Sequence, residues 1–337
     1  MLNQVNRRIT LASRPETYPT EANFKLVEEP VPAIGPGQAL VRTLYLSLDP
    51  YMRGRMSAAK SYAPPVEIGA TMVGGIVGKV VASENPRLKV GDIVEGRLGW
   101  QDYGISDGRD LRKVDPSWGP VSTAVGVLGM PGLTAYFGLL EVCRPRAGDT
   151  VVVSAASGAV GQVVGQVAKL AGCRVVGIAG GARKIDFITR ELGFDAGIDY
   201  KRGDLDAALD KACPDGVDCY FDNVGGAVSE AVFRHLANRA RIAICGQIAL
   251  YNVDVPEPGS RNLRFMLVNR AHMEGFLVSD FADRWPEGLK RLSRWLKTGK
   301  IKYREDVVDG LENAPKAFLR LFSGENFGKL VVKVADE

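Results

Sequence analysis

The chain has 337 residues, and because single hydrophobic cores stop growing near ~250 residues, we expect about two domains. Hydrophobic residues make up 46% and charged residues 24% of the chain, which excludes a disordered or fibrous protein. The 43 basic and 39 acidic residues are intermixed to a net charge of +4, so we expect neither nucleic acid nor an anionic membrane as a partner, whereas a small anionic ligand is compatible.

The N-terminal sequence MLNQVNRRITLASRPET has no apolar signal region, and no stretch approaches the ~20 apolar residues that span a bilayer. We therefore expect a cytoplasmic protein. The cysteines contain no CxxC pair and are odd in number, which argues against a disulfide framework and against a thiolate metal site. We expect reduced, mostly structural thiols at Cys143, Cys173, Cys213, Cys219 and Cys245.

The first part of the chain reads as a turn-rich β domain. The short runs QALVRTLYLSL, MVGGIVGKVV and GDIVEGRLGW are separated by Gly and Pro clusters such as PAIGPGQ. The C-terminal FGKLVVKVADE is also strand-like and follows a break at KTGKIKYRED, so we assign it to the same domain. The β domain is thus predicted to be discontinuous, at 1–124 and 301–337.

Residues 125–300 show a different sequence pattern, in which predicted strands alternate with predicted helices. The strand candidates are TVVVSAA, CRVVGIAG, DCYFDNVG, RIAICGQIA and HMEGFLV, and GQVVGQVAKLA and RKIDFITRELG are helical stretches between some of them. Alternation of this kind predicts an α/β domain with a doubly wound parallel sheet.

A glycine-containing turn follows the first of these strands. Residues 156–161 read ASGAVG and fit G-x-G-x-x-G with Ala156 in place of the first glycine. Gly158 would let the backbone approach a pyrophosphate, and Gly161 would let the helix pack on the strand. A tight turn that binds nothing is the alternative, but a strand, turn, helix and strand within about thirty residues favours dinucleotide binding.

The end of the second strand, GIAGGARK, lacks the acidic residue that usually holds the ribose 2′-OH of NAD. Arg183 and Lys184 stand near this point instead, and two cations beside a 2′-phosphate favour NADP over NAD. Solvated surface charges are the alternative. Cations are, however, poorly placed in the first turn of a helix unless an anion neutralises them.

Seven segments spread over nearly the whole chain carry a family resemblance: LSLDPYMRGRM, GVLGMPGLTAYFGLLE, AASGAVG, YFDNVGG, CGQIALYN, GFLVSD and ENFGK. With them the sequence resembles the zinc-free branch of the medium-chain dehydrogenases/reductases, which includes prostaglandin reductases, plant double-bond (2-alkenal) reductases and bacterial curcumin reductases. The resemblance implies a Rossmann cofactor domain at 125–300 and a GroES-like, mainly β substrate domain at 1–124 and 301–337. It also implies a homodimer, in which the open sheet edge is covered by a second copy.

The resemblance further implies which residues bind NADPH. Gly158, Ala159, Val160 and Gly161 would wrap the pyrophosphate, and Lys184 and Tyr200 would contact the 2′-phosphate, to which the charge argument adds Arg183. The adenosine, ribose and nicotinamide would be held by Asn223, Cys245, Gly246, Gln247, Tyr251, Phe276, Leu277, Val278 and Asn326. Each of these assignments has a structural alternative: for example, Asn is common in strand-end turns and FLV is also plausible as a core strand.

The residue types predict that no metal is bound. Zinc-dependent relatives use cysteine with histidine, and this chain has only two histidines, His235 in FRHLANR and His272 in RAHMEGF. Neither has a cysteine nearby in sequence. Where the zinc branch would place its first cysteine, the chain reads DPYMR.

Without a Lewis acid, simple alcohol oxidation loses much of its charge stabilisation. An α,β-unsaturated carbonyl suits such a site, because hydride addition at the β-carbon spreads the developing charge onto an enolate oxygen. Tyr251 and Tyr51 are the candidate hydrogen-bond donors, since a phenol with a pKa near ~10 stays protonated at pH 7. We rank Tyr251 first because it follows a strand that would end at the cofactor crevice. Packing alone is the alternative for either ring.

These observations predict NADPH-dependent reduction of the carbon–carbon double bond of α,β-unsaturated aldehydes and ketones, without a metal. Two alternatives stay open: an NADPH quinone reductase on the same scaffold, and an NADPH-binding module without turnover. We expect the apolar substrate to be lined by residues near 45–65, 100–104 and 276–285.

Overall fold

The computed structural model describes residues 5–253 and 262–337. The chain folds into two compact units. The first unit comprises the residues up to Gly126 together with Glu305–Asn326 and Leu330–Glu337, and the second comprises Val127–Arg304 and Phe327–Lys329. Each unit is built differently.

The first unit is mainly antiparallel β-structure. Its strands are β1 (Val5–Leu11), β2 (Phe24–Pro30), β3 (Ala39–Ser47), β4 (Ile76–Ser83), β5 (Ile93–Gly96), β6 (Tyr103–Ser106), β7 (Arg112–Lys113), β14 (Glu305–Asp309) and β15 (Lys329–Lys333). Strands β1 and β2 pair with each other, and a seven-stranded sheet has the order β14-β15-β3-β4-β5-β7, with β6 also paired to β3. Two helices belong to this unit, α1 (Tyr51–Arg55) and α9 (Ala314–Ser323).

The core of the first unit is centred on Trp100, whose side chain is fully buried. The Trp100 indole stacks on Phe24 at 5.5 Å between ring centroids and meets Phe318 of α9 edge-on at 5.6 Å. Aromatic pairs at these separations add to the free energy gained from burying the rings. Helix α9 therefore closes the sheet from a part of the chain remote in sequence.

The second unit holds a six-stranded sheet in the order β10-β9-β8-β11-β12-β13. Its strands are β8 (Thr150–Ser154), β9 (Arg174–Ala179), β10 (Ala196–Asp199), β11 (Val217–Asp222), β12 (Leu236–Ile244) and β13 (His272–Gly275). All five neighbouring pairs run parallel. The strand order reverses between β8 and β11, so a crevice is expected at the carboxyl ends of these two strands.

Helices cover the sheet of the second unit: α2 (Met130–Phe137), α3 (Gly161–Leu170), α4 (Ala182–Asp186), α5 (Leu205–Ala212), α6 (Gly226–Arg234), α7 (Leu263–Val268) and α8 (Trp285–Lys297). Strand β8 is buried at every residue, as expected for a parallel strand covered on both faces. The parallel sheet and the antiparallel β unit confirm the predicted fold class. None of the helices in the described residues is both long and apolar enough to cross a bilayer.

The structure differs from the sequence prediction most at two strands, and also at β13, which ends at Gly275 rather than at Val278. Strand β10 was not predicted, and it has only four residues, AGID, which pair with β9 at the sheet edge. Strand β12 begins at Leu236 and ends at Ile244, whereas the prediction placed a strand over 241–249. Residues Ile248–Leu250 form a 3-10 turn instead, because the chain leaves the sheet after Ile244.

Candidate active site

Except for Asn326, the residues predicted to bind the cofactor follow the carboxyl ends of the six strands of the second unit. The turn of Gly158 follows β8, Lys184 follows β9, Tyr200 follows β10, Asn223 follows β11 and Cys245 follows β12. Phe276 comes directly after β13. Because the strands are parallel, their carboxyl ends share one edge of the sheet, which we call the carboxyl edge.

The turn between β8 and α3 exposes its backbone. Ala155 adopts a left-handed conformation with φ of +49°, and the residues Gly158, Ala159 and Val160 are half-buried between fully buried neighbours. No side chain caps the start of α3, where the N–H groups of Gln162 and Val163 donate to the carbonyl oxygens of Gly158 at 3.1 Å and Val160 at 3.0 Å. An exposed backbone at the start of a ten-residue helix fits a pyrophosphate.

Gly161 leaves no room for a side chain at the start of α3. A Cβ here would overlap the carbonyl oxygen of Ala155 and lie 2.8 Å from the Cα of Ala156. The helix therefore packs directly against the turn. A Cβ at Gly158, in contrast, would meet only the Ala155 carbonyl oxygen, at 3.1 Å.

A segment near the C-terminus lies beside the glycine turn. Gly158 and Gly328 form an isolated parallel bridge, and a side chain on Gly328 would overlap the carbonyl oxygen of Arg304. The buried Gln162 of α3 accepts from the backbone N–H of Arg304 at 2.8 Å. Gln166, one helical turn later, does the same for Lys302 at 2.7 Å. Two buried amides thus hold an extended segment along α3.

The corner at the ends of β9 and β10 is basic. Arg183 and Lys184 lie in α4, and Tyr200, which is 44% exposed, follows β10. The Arg183 guanidinium lies 4.9 Å from the centroid of the Phe327 ring. Arg304 lies 4.2 Å from the same centroid. Phe327 therefore contacts both cations, a role that the sequence reasoning missed.

Asn223 is held at the end of β11 by Ser154 of β8. Its backbone N–H donates to Ser154 Oγ at 2.8 Å, and its Nδ2 donates to the Ser154 carbonyl oxygen at 2.8 Å. This bond pair joins the two strands at the point where the strand order reverses. Both bonds are contacts within the fold, and the assignment of Asn223 to the cofactor stays a prediction.

Asp222 is a fully buried carboxylate that the sequence reasoning did not single out. Its Oδ1 accepts from the Tyr220 hydroxyl at 2.8 Å, from Ser154 Oγ at 3.1 Å and from the N–H of Val224 at 2.9 Å. Burial, and then the Asp222 carboxylate, raise the pKa of Tyr220. The available signal was the acidic residue inside the apolar run of DCYFDNVG.

The segment after β12 folds back over the carboxyl edge. The N–H groups of Cys245 and Gly246 donate to the Asp222 carbonyl oxygen at 2.9 and 3.1 Å. The Tyr251 hydroxyl accepts from the N–H of Gln247 at 3.4 Å, and a Cβ on Gly246 would lie 3.2 Å from it. Burial, and then Asp222, raise the pKa of Cys245 to about 12, so this thiol stays protonated.

Comparison with known proteins agrees with this architecture. A family model described as the N-terminal domain of oxidoreductase matches residues 7–114, and one described as zinc-binding dehydrogenase matches residues 159–294. The chain is 49% identical to NADPH-dependent curcumin reductase of Escherichia coli (strain K12), covering 99% of this chain and 98% of that protein. The chain belongs to the medium-chain dehydrogenase/reductase family.

Two further similarities support this family. The chain is 44% identical to the 2-alkenal reductase (NADP(+)-dependent) of Nicotiana tabacum, with 98% of each chain covered. The crystal structure of CurA in complex with NADPH from Vibrio vulnificus superimposes with a TM-score of 0.94 at 50% identity, covering 98% of this chain and 100% of that one. The resemblance derived from the sequence motifs is thereby confirmed.

In this member of the family, the residues GFLV have mixed environments. Phe276 is buried against Phe221, at 6.1 Å between ring centroids, and lies where a side chain on Gly138 would be. Leu277 is exposed, and the Val278 carbonyl oxygen accepts from the Trp285 indole. Phe276 is therefore a core residue just past the end of β13, so FLV does not form a core strand, and its neighbours lie nearer the surface.

The remaining two predicted site residues belong to the first unit. Tyr51 begins α1 and packs against that unit's core. Burial, and then the Asp49 carboxylate, raise the pKa of Tyr51 above its ordinary value, so its hydroxyl is a donor at neutral pH. Asn326 follows α9 and is half-buried.

Among the described residues, the titratable side chains do not form a set of metal ligands. Over 5–253 and 262–337, no group of three or more His, Cys, Asp and Glu side chains could hold a metal ion. His235 lies between Asp206 and Asp210, at 3.0 and 3.1 Å, and His272 lies 3.2 Å from Glu274. All five cysteines are free thiols. The metal-free chemistry stays a prediction.

Proposed function

We propose that this chain reduces the carbon–carbon double bond of α,β-unsaturated aldehydes and ketones with NADPH and without a metal. The observation that carries the proposal is the carboxyl edge, where an exposed glycine turn precedes α3 and a basic corner follows β9. Relatives at 49% and 44% identity are named as an NADPH-dependent curcumin reductase and an NADP(+)-dependent 2-alkenal reductase.

NADPH is the cofactor of this proposal, and the residues at the carboxyl edge fit its charges. The backbone from Gly158 to Gly161 would hold the pyrophosphate, and Arg183, Lys184 and Tyr200 would hold the 2′-phosphate. A 50% identical structural neighbour is described in complex with NADPH. We assign the nucleoside and nicotinamide to the remaining predicted residues, namely Asn223, Cys245, Gly246, Gln247, Tyr251, Phe276, Leu277, Val278 and Asn326.

The bound nicotinamide supplies the hydride, and this chain's tyrosines would stabilise the charge that develops on the substrate. A neutral phenol can donate a hydrogen bond to an enolate oxygen. Tyr251 is assigned this role first, because its hydroxyl lies over Gly246 at the carboxyl edge. Tyr51 is the second candidate, since the raised pKa keeps its hydroxyl protonated.

We assign the cofactor to residues 125–300 and the substrate to the β domain of 1–124 and 301–337. The substrate would be small and apolar. The cytoplasmic location stays a prediction from the sequence.

A homodimer is part of this proposal. Strand β13 ends the six-stranded sheet of the described chain, and all four of its residues are exposed. Nearby in sequence, Leu263, Leu267 and Val268 of α7 are 58%, 78% and 64% exposed. An open strand edge with exposed apolar side chains favours association with a second copy. Light scattering should give about twice the chain mass of 36.3 kDa, and a value near 36.3 kDa at micromolar concentration would contradict it.

A substrate panel tests the proposed activity. Purified protein is given NADPH with an enone, with the matching saturated ketone or with a quinone, and NADPH oxidation is followed. We expect turnover with the enone and none with the saturated ketone. Turnover restricted to the quinone would support a quinone reductase, and NADPH binding without any turnover would support a binding module.

A further inference from the structure

The residue after β9 is covered by side chains from the end of β10. A Cβ on Gly180 would lie 2.9 Å from Cε of Lys201 and 3.0 Å from Cε1 of the Tyr200 ring. Dinucleotide-binding folds that hold a ribose 2′-OH carry an acidic side chain near this point. Here the space for such a side chain is filled by a tyrosine ring and a lysine.

The backbone of Lys201 is tied to the turn that begins α4. Oδ1 of Asp199 accepts from the N–H of Lys201 at 3.1 Å and from the N–H of Gly181 at 2.9 Å. The Asp199 side chain is only 13% exposed, so one buried carboxylate holds both segments. Lys201 is thereby placed in the same corner as Arg183 and Lys184.

In the part of the chain that the structure describes, no carboxylate neutralises the ammonium group of Lys201. It lies 6.0 Å from the centroid of the Tyr200 ring, and it forms no ion pair with a carboxylate of the described residues. Neighbouring Arg202 approaches Asp199 at 3.6 Å, and Arg183 stacks on Phe327. Lys201 is therefore a cation of this corner that remains available for an anion.

We propose that Lys201 binds the 2′-phosphate of NADPH and is a determinant of the preference for NADPH over NADH. This inference rests on the proposed function, since it presumes an NADPH site at the carboxyl edge. The phosphate carries up to two negative charges, and an ammonium group beside it gains both a charge-assisted hydrogen bond and Coulomb attraction. Gly180 also favours NADPH, because an acidic side chain at this position would displace Lys201 and repel the phosphate.

Calorimetric titration with two nucleotides tests this role without turnover. Adenosine 2′,5′-bisphosphate and adenosine 5′-monophosphate differ only in the 2′-phosphate. Lys201→Ala should weaken binding of the bisphosphate about tenfold and leave binding of the monophosphate within about twofold. Lys201→Arg, which keeps the charge, should restore most of the affinity for the bisphosphate.

Lys211→Ala is the matched control, because Lys211 is an exposed lysine of the same unit, on α5, and its loss changes the net charge equally. It should leave both affinities unchanged. Equal losses of affinity for both nucleotides in Lys201→Ala, or no loss for either, would overturn the assignment of Lys201. In that case, a wild type that binds the bisphosphate more tightly than the monophosphate would still support NADPH as the cofactor. A wild type that binds both nucleotides equally would overturn the NADPH preference and this inference together.

Discussion

The two ends of the parallel sheet in the second unit both hold cations, but they hold them differently. At the amino end, Nη2 of Arg241 donates to Asp149 at 2.5 Å and to Cys219 Sγ at 3.0 Å, and the arginine and aspartate side chains are only 19% and 15% exposed. At the carboxyl edge, Arg183 and Lys201 are exposed beside glycines. A buried, matched pair serves the fold, whereas exposed cations without a carboxylate partner suit an anionic ligand.

The same contrast holds for backbone groups. Between the two ends, the middle of β8 is paired on both sides, to β9 and β11. Past its carboxyl end, the chain turns through Ala155 at positive φ and half-exposes Gly158 and its neighbours. Along this strand, the positive φ and the exposed backbone lie at the end where function is proposed, while the remainder of the strand is paired and buried. Substitutions at the two ends should therefore affect different measurements.

The largest effect is expected at the amino end. Arg241→Leu leaves the Asp149 carboxylate without its buried partner, which should lower the free energy of unfolding by about 3 kcal/mol. Urea-induced unfolding measures this loss. The variant should still bind NADPH normally when folded. A loss of NADPH affinity without a loss of stability would contradict the division between the two ends.

The next effect concerns Tyr251 at the carboxyl edge. Tyr251→Phe should lower kcat and kcat/KM together for enones, by roughly ten- to a hundredfold, because the lost hydrogen bond exists mainly in the transition state. Fold and NADPH affinity should not change. Tyr51→Phe is the control, and its kcat and kcat/KM should fall less. An unchanged kcat with a raised KM would show that Tyr251 only positions substrate or cofactor.

A third effect separates NADPH from NADH. Replacing Arg183 and Lys184 together by Ala should raise the KM for NADPH about tenfold, since only NADPH carries the phosphate that they would pair with. The KM for NADH should change little. Equal increases for both cofactors, or a wild type that prefers NADH, would contradict the assignment of this corner.

The smallest effect is expected at a surface pair away from both ends. A hydrogen bond from Arg234 lowers the pKa of Asp206 to about 2 from 3.8. A carboxyl group whose pKa is lowered by folding stabilises the fold at pH values above its ordinary pKa. This stabilisation is lost as the pH falls toward 2. Because the two side chains are 41% and 39% exposed, Asp206→Asn should cost at most about 1 kcal/mol at pH 7.

Thermal unfolding of wild type and Asp206→Asn across acidic pH checks this last point. The difference between their Tm values should shrink as the pH falls from about 4 to 2, as the linkage requires. A difference that is constant over this range would show that the ion pair does not cause it.

Much of the second unit could be predicted because its strands are apolar runs that end at small or polar residues. Strand β9 consists of the apolar run RVVGIA. Strand β10 escaped prediction because AGID is short and becomes a strand only by pairing with β9. Strand β12 begins with LANRA, whose polar residues resemble a continuation of α6 rather than the start of a buried strand.

The site was predictable where a motif names a residue and not where long-range contacts assign it. The glycine turn, Asn223 and Tyr251 could be predicted because they lie in sequence motifs of the family. Phe327, Gln162 and Lys201 gained their roles from partners that lie far away in sequence or across a strand end. No local pattern distinguishes Gln162 from any other helical glutamine, since only the fold places the Arg304 backbone beside it.

Transfer of deuterium from NADPH labelled at the nicotinamide C4 position to an enone tests the central claim most directly. Proton NMR of the product should place the deuterium on the β-carbon, with the carbonyl intact, because the proposed site stabilises an enolate. Deuterium on the former carbonyl carbon, with an allylic alcohol as product, would contradict double-bond reduction.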